Sequence, residues 1–205
     1  MITTQLDEFI QSIQEDFAKI PEDRKKVLQQ LANFVSERKE QAAVNLVFIC
    51  VHNSRRSHLS QFWAQVAAHY YGAYHVFCYS GGTEVTELNP AAAEAIRQSG
   101  AEVRLISHGK NPIYTLKYDQ NARPVIGFSK LFDDSYNPQE KFAAIMVCST
   151  ADDNCPYIAT ADQRILIPFE DPKKYDGTPQ QAAQYFERSK QIATEFFYAF
   201  STLRK

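Results

Sequence analysis

Four short apolar runs, rich in Val, Ile, Phe and Ala, alternate along the chain with segments whose apolar residues recur at helical spacing. The runs cover residues 43–50, 74–80, 142–150 and 164–169. Nearly continuous apolar runs of this length are typical of strands buried on both faces, as in parallel sheets. Helical segments between them supply the crossovers that parallel strands need. The sequence therefore predicts an α/β fold with an open, parallel four-stranded sheet and helices on both faces.

The chain divides at the start of the first run. Residues 1–42 carry two apolar stripes at helical spacing and predict an N-terminal helical hairpin, which could cover an apolar face, form a homodimer or dock a partner. Residues 43–205 are predicted to form the single α/β domain. Inside it, residues of about 108–137 look like an insertion, in which 112–118 and 124–130 are expected to pair as a β-hairpin.

Bulk properties exclude several functional classes. A formal net charge of -2 over 205 residues gives no indication of a nucleic-acid partner or of an anionic membrane surface. No apolar run approaches the ~18 residues of a membrane span, and the first residues lack the pattern of a signal peptide. A cytoplasmic location is therefore expected. In that reducing compartment the four cysteines are expected to be catalytic, metal-binding or buried rather than permanently disulfide-linked.

The first apolar run ends at Cys50, and a polar turn leads into a helical pattern that begins near Arg56. Ligands of open α/β sheets lie beyond the carboxyl ends of strands, where turn N–H groups and a helix N-terminus attract anions. Arg56 can hold an oxyanion through two hydrogen bonds, and the same field favours the Cys50 thiolate. The alternative is a buried cysteine before a positively charged helix start, although arginine there opposes the helix dipole. The residues assigned to the anion site are Val51, His52, Asn53, Ser54, Arg55, Arg56 and Ser57.

The segment CVHNSRRS, from Cys50 to Ser57, resembles the Cys-x5-Arg-Ser phosphate loop of the low-molecular-weight tyrosine phosphatase superfamily. The resemblance covers residues 43 to about 203. That family supplies an aspartate from a late Asp-Pro pair, and Asp171 precedes a proline just after the fourth apolar run. The resemblance therefore implies that Asp171 is the general acid that protonates the leaving oxygen. The alternative for Asp171 is a turn residue before proline.

A second motif separates two branches of that superfamily. Cys148, six residues, Cys155 and a proline resemble the thioredoxin-coupled arsenate reductases. The resemblance implies that Cys50 attacks arsenate, Cys148 attacks Cys50, and Cys155 attacks Cys148 to leave a disulfide that thioredoxin reduces. No cofactor is expected, and no metal, since no histidine lies near Cys148 and Cys155 to complete a zinc site. Otherwise Cys148 would be a core residue and Cys155 a chance loop cysteine.

Two other functions stay open. One is a low-molecular-weight protein tyrosine phosphatase that hydrolyses phosphate monoesters through a phosphocysteine and needs only Cys50, Arg56 and Asp171. The other is a non-enzymatic module that binds oxyanions or phosphoproteins. The expected partners are therefore arsenate or a phosphate ester, with thioredoxin as the reductant of the first function. Cys78, in the second apolar run, is expected in the core.

Overall fold

The computed structural model describes residues 2–148 and 158–203. Its strands are β1 (Val44–Cys50), β2 (Val76–Gly82), β3 (Glu102–Ser107), β4 (Ile113–Lys117), β5 (Val125–Gly127), β6 (Phe142–Met146) and β7 (Gln163–Leu166). Its α-helices are α1 (Thr4–Gln14), α2 (Glu22–Ser36), α3 (Arg56–Tyr70), α4 (Pro90–Gln98) and α5 (Gln181–Ser201), with 3-10 helices at Glu15–Lys19 and Pro172–Tyr175. Within these ranges no helix is both long and apolar enough to cross a membrane.

The main sheet has the strand order β2-β1-β6-β7, and all three neighbouring pairs are parallel. Each strand corresponds to one of the four apolar runs. The central strands β1 and β6 are almost completely buried, as strands covered on both faces must be. The predicted parallel four-stranded sheet flanked by helices is therefore confirmed, and its carboxyl edge carries the loop that follows Cys50.

The two faces of the sheet are covered differently. Alternate residues of β1, such as Leu46 and Phe48, belong to the large core that also contains the buried apolar residues of the helices. The residues between them, such as Val47 and Ile49, form a smaller cluster with Ile158 and neighbouring residues outside the helices. Among the described residues, the large cluster holds the apolar residues of the helices, and the smaller cluster also includes Phe132 and Ala161 as partly buried neighbours.

The N-terminal hairpin covers the domain itself. Helices α1 and α2 both pack on α5, and their apolar residues, such as Leu6 and Leu28, are fully buried in the large core. The side-chain oxygen of Thr3 caps α1 by accepting a hydrogen bond from the Leu6 amide at 3.3 Å. Three roles were considered for residues 1–42. The burial of their apolar stripes in the large core fits the role of covering an apolar face. A homodimer through these helices stays a prediction.

A second, smaller sheet fills the predicted insertion. Strands β4 and β5 pair antiparallel, as predicted for the hairpin, but β3 pairs with β4 as a third strand. The extra sheet therefore begins at Glu102, before the expected boundary near 108. After β5 the chain returns to the main sheet, where Leu131 forms a parallel bridge with Gly82. This return brings Ser129 and Lys130 beside the loop that follows β1.

Candidate active site

Cys50 is the last residue of β1 and lies at the carboxyl edge of the main sheet. Its side chain is buried, and its thiol donates a hydrogen bond to Ser57 Oγ at 3.1 Å. Asn53 Nδ2 donates to the same oxygen at 2.8 Å. Because Ser57 Oγ already accepts from Asn53, its own proton can turn towards the sulfur once the thiol is deprotonated. The arrangement can thus stabilise a thiolate at Cys50.

The peptide groups of the loop are oriented by neighbours outside it. The carbonyl oxygen of Val51 accepts from the Thr83 amide at 2.8 Å, and that of Ser54 accepts from the Asn89 amide at 2.9 Å. The His52 carbonyl accepts from Ser129 Oγ at 3.1 Å. In a trans peptide the following N–H points in the opposite direction. The amides that follow these carbonyls are therefore directed to the other side of the loop, as an anion nest requires.

Two residues shape this turn: Asn53, which the sequence assigned to the anion site, and Gly82, which sequence reasoning did not single out. Asn53 has φ of 42°, in the left-handed region that asparagine tolerates better than most residues. Its side-chain oxygen accepts from the Lys130 amide at 2.9 Å, which fixes the carboxamide. Gly82, opposite Cys50 in the sheet, has no room for a side chain, since a Cβ there would lie 2.5 Å from the Val51 oxygen. The Gly81-Gly82 pair after the second apolar run is the sequence feature that could have indicated this close approach of two backbones.

Arg56 opens α3 and meets the segment that follows β7. Its Nη1 donates to the Phe169 carbonyl at 3.1 Å, and its Nη2 lies 2.9 Å from Asp171 Oδ2. The other carboxylate oxygen of Asp171 caps the following 3-10 helix by accepting from the Lys173 amide at 2.9 Å. The structure therefore brings together Arg56 and Asp171, which are far apart in sequence, and leaves the carboxylate partly exposed beside the guanidinium.

Arg55 differs from its prediction as part of the anion site. Its Nε donates to the Tyr185 hydroxyl at 2.5 Å and its Nη2 to Asp176 at 2.5 Å, so the side chain is directed to α5. Tyr185 in turn donates to Asp176, and burial together with that hydrogen bond raises the pKa of the phenol. The side chain of Arg55 thus ties the loop to α5, and only its backbone remains in the predicted nest. Tyr185 and Asp176 were missed by sequence reasoning.

Cys148 lies at the same edge of the sheet as Cys50. Ile49 of β1 is in register with Met146 of β6, and the Val147 amide donates to the Ile49 carbonyl at 2.9 Å. The Cys148 side chain is buried, with Sγ 3.7 Å from the same carbonyl. Neighbouring strands are ~4.8 Å apart, so Cys50, at the end of β1, and Cys148, two residues after β6, lie at adjacent strand ends. The predicted partner Cys155 lies outside the described residues.

The remaining cysteine belongs to the core. Cys78 is buried within β2, and burial raises the pKa of its thiol well above the ordinary value. Such a thiol is unreactive. Among residues 2–148 and 158–203, no group of three or more His, Cys, Asp or Glu side chains is placed to hold a metal ion.

Comparison with solved structures identifies the fold. A structure described as an arsenate reductase in the phosphate binding state covers 78% of this chain, and 99% of that chain is matched, with a TM-score of 0.51 and 15% identity. At this identity the likeness concerns the fold alone. The shared fold is an α/β architecture with a parallel four-stranded sheet flanked by helices.

Sequence comparison identifies the family. No family model matches the chain. An arsenate reductase of Staphylococcus aureus strain Newman is 30% identical over 153 residues, which are 74% of this chain and 94% of that protein. An arsenate reductase of Bacillus licheniformis is 29% identical over 143 residues, which are 70% of this chain and 84% of that protein. The chain belongs to the arsenate reductase family.

Proposed function

We propose that this protein reduces arsenate to arsenite through Cys50, with a thiol–disulfide relay from Cys50 to Cys148 and Cys155 and with thioredoxin as the final reductant. The observation that carries the proposal is the position of Cys148 after the strand next to the one that ends at Cys50. A phosphatase loop alone does not require that second cysteine. The names of the relatives from Staphylococcus aureus and Bacillus licheniformis support the same substrate.

In the first step the loop holds arsenate as it would hold phosphate, because the two oxyanions share charge and tetrahedral shape. The Cys50 thiolate attacks arsenic, a sulfur–arsenic bond forms, and one oxygen leaves as water. Asp171 supplies the proton for that oxygen, and Arg56, which touches Asp171, balances the charge of the remaining oxygens. Arsenic remains pentavalent in this adduct.

The relay then transfers two electrons. Cys148 attacks the sulfur of Cys50, and the electron pair of the sulfur–arsenic bond stays on arsenic, which leaves as trivalent arsenite. Cys155 attacks Cys148 and releases the Cys50 thiolate, which leaves a disulfide between residues 148 and 155. The dithiol of thioredoxin reduces that disulfide and completes the cycle. Each exchange needs the attacking thiolate within reach of a disulfide or adduct sulfur, and the adjacent strand ends of Cys50 and Cys148 support the first of them.

The proposal is tested by arsenate turnover with thioredoxin, thioredoxin reductase and NADPH. Wild-type protein is expected to oxidise one NADPH per arsenite formed. Cys148→Ser is expected to lower steady-state turnover by at least about a hundredfold, since nothing then expels arsenite from Cys50. Cys78→Ala, which replaces a core cysteine, is the matched control and should retain turnover. Wild-type protein with intact thiols that consumes no NADPH would refute the proposal.

A second candidate is hydrolysis of phosphate monoesters, favoured by the contact between Arg56 and Asp171 beside Cys50, which is all that a phosphatase needs. The two functions separate on the relay cysteines. With p-nitrophenyl phosphate as substrate, a phosphatase retains its rate after Cys148→Ser and after Cys155→Ser. One outcome would favour the phosphatase over the reductase. In it, both variants hydrolyse the ester at the wild-type rate, and neither they nor the wild type reduce arsenate.

A further inference from the structure

Lys130 is a lysine almost completely shielded from solvent. Its Nζ lies 3.4 Å from Ser80 Oγ and 3.3 Å from the Phe128 carbonyl, and 4.3 Å from the centroid of the Phe128 ring. No carboxylate lies within ion-pair distance of this ammonium in the described part of the chain. Buried lysines without a carboxylate partner are costly and are found chiefly where the charge has a function. The mechanism above does not use Lys130.

The backbone of Lys130 is fixed to the anion loop. Its amide donates to Asn53 Oδ1 at 2.9 Å, and its carbonyl accepts from the Gly82 amide at 2.9 Å. Asn53 holds Ser57, which accepts from the Cys50 thiol. Three successive hydrogen bonds therefore connect residue 130 with the nucleophile. Because the first of them comes from the main chain, it persists whatever side chain stands at this position.

The groups around the ammonium do not neutralise it. The Ser80 hydroxyl also lies 3.2 Å from His58 Nδ1, but burial and the charge of Lys130 lower the pKa of His58 to about 3, so that ring is neutral. Tyr136 presents its ring at 5.3 Å. Burial lowers the pKa of Lys130 to about 7, and the charge of Asp134 opposes the shift without forming an ion pair. Among the described residues, the protonated lysine is therefore a cation without a carboxylate in ion-pair contact.

We propose that the ammonium of Lys130 is an internal counter-charge for the anion held by residues 50–57, and that Lys130 is a positioning residue of that loop. The inference rests on the proposed oxyanion-binding role of the loop and adds to it a residue from the segment that follows β5. An anion in the loop attracts the proton to Lys130, and a protonated Lys130 strengthens binding of the anion; the two effects are reciprocal.

The pH dependence has a defined sign. At pH below about 7 Lys130 is protonated before the anion arrives, and the whole electrostatic contribution is present. As the pH rises through the higher pKa of the complex, the lysine is neutral in both states and the contribution disappears. A purely structural role of the side chain would weaken binding equally at every pH.

The test compares wild type with Lys130→Met, using the dissociation constant of inorganic phosphate measured by calorimetry from pH 6 to pH 9. At pH 6 the variant is expected to bind about tenfold more weakly, the size expected for one unit charge across a partly shielded interior. The ratio of the two dissociation constants should fall towards one by about pH 9. Lys130→Gln, which keeps a hydrogen-bond donor without the charge, should behave as Lys130→Met and guards against a folding defect.

Lys117→Met, at a partly exposed lysine of β4, is the matched control and should leave phosphate affinity unchanged. A ratio of one at pH 6, or a ratio that is the same at all pH values, would overturn the inference. So would a wild-type protein that binds no phosphate. Phosphate binding that depends on Lys130 in a protein unable to reduce arsenate would refute the proposed function and leave this inference intact.

Discussion

Cys50→Ser is expected to abolish arsenate reduction, with a loss of at least about a thousandfold in turnover. Serine fills almost the same space at the end of β1, so the loop and its hydrogen bond to Ser57 should survive. A hydroxyl at this position is a far weaker nucleophile than a thiolate and cannot form a disulfide with Cys148. The measurement is arsenite release under the coupled thioredoxin assay.

The control for this substitution is anion binding. Because the loop itself is unchanged, Cys50→Ser should still bind inorganic phosphate with an affinity within a few-fold of wild type. Retained arsenate reduction in Cys50→Ser would show that another cysteine is the nucleophile. Cys78 is an unsuitable replacement for that role, since burial raises the pKa of its thiol and suppresses its thiolate.

Arg56→Lys is expected to cause a loss of about a hundredfold in both phosphate affinity and turnover. The guanidinium contacts the Phe169 carbonyl and Asp171 with separate nitrogens and is buried between them. A lysine carries the same charge but has one ammonium on a flexible chain, so it cannot hold Asp171 and an oxyanion in a fixed planar geometry. Calorimetric phosphate titration and the coupled assay measure the two losses.

Arg97→Lys provides the comparison for that variant. Arg97 lies on α4, and its two hydrogen bonds go to the neighbouring Glu94 on the surface. Arg97→Lys should leave both phosphate affinity and arsenate turnover unaltered. If Arg56→Lys retains wild-type phosphate affinity, the charge alone is sufficient and the bidentate arrangement at the loop is not what binds the anion.

The site residues that the sequence predicted are those that belong to one short sequence motif. Cys50, Arg56 and Ser57 lie within eight residues at a strand–helix junction, so the hydrophobic run and the polar turn together determine their positions. The parallel order of the main sheet follows in the same way from the continuous burial of its strands. Asp171 required the family resemblance, because an aspartate before proline is common in turns.

The parts that escaped prediction depend on contacts between distant segments. Arg55 is directed away from the loop by Tyr185, 130 residues further on, and no local pattern encodes that pair. No sequence feature indicated that Lys130 is buried, since lysine is normally exposed. Strand β3 was missed because its side chains are mostly exposed, which removes the apolar run by which buried strands are recognised.

The central claim is that Cys148 attacks the sulfur of Cys50 and thereby releases arsenite from the adduct. Trapping the first disulfide in Cys155→Ser tests this claim most directly. One equivalent of arsenate, followed by acid quenching and non-reducing peptide mapping by mass spectrometry, should give one disulfide between Cys50 and Cys148 per arsenite released. Removal of Cys155 prevents the exchange that would resolve it. Arsenite release without this disulfide, or a disulfide that includes Cys78 instead, would contradict the account.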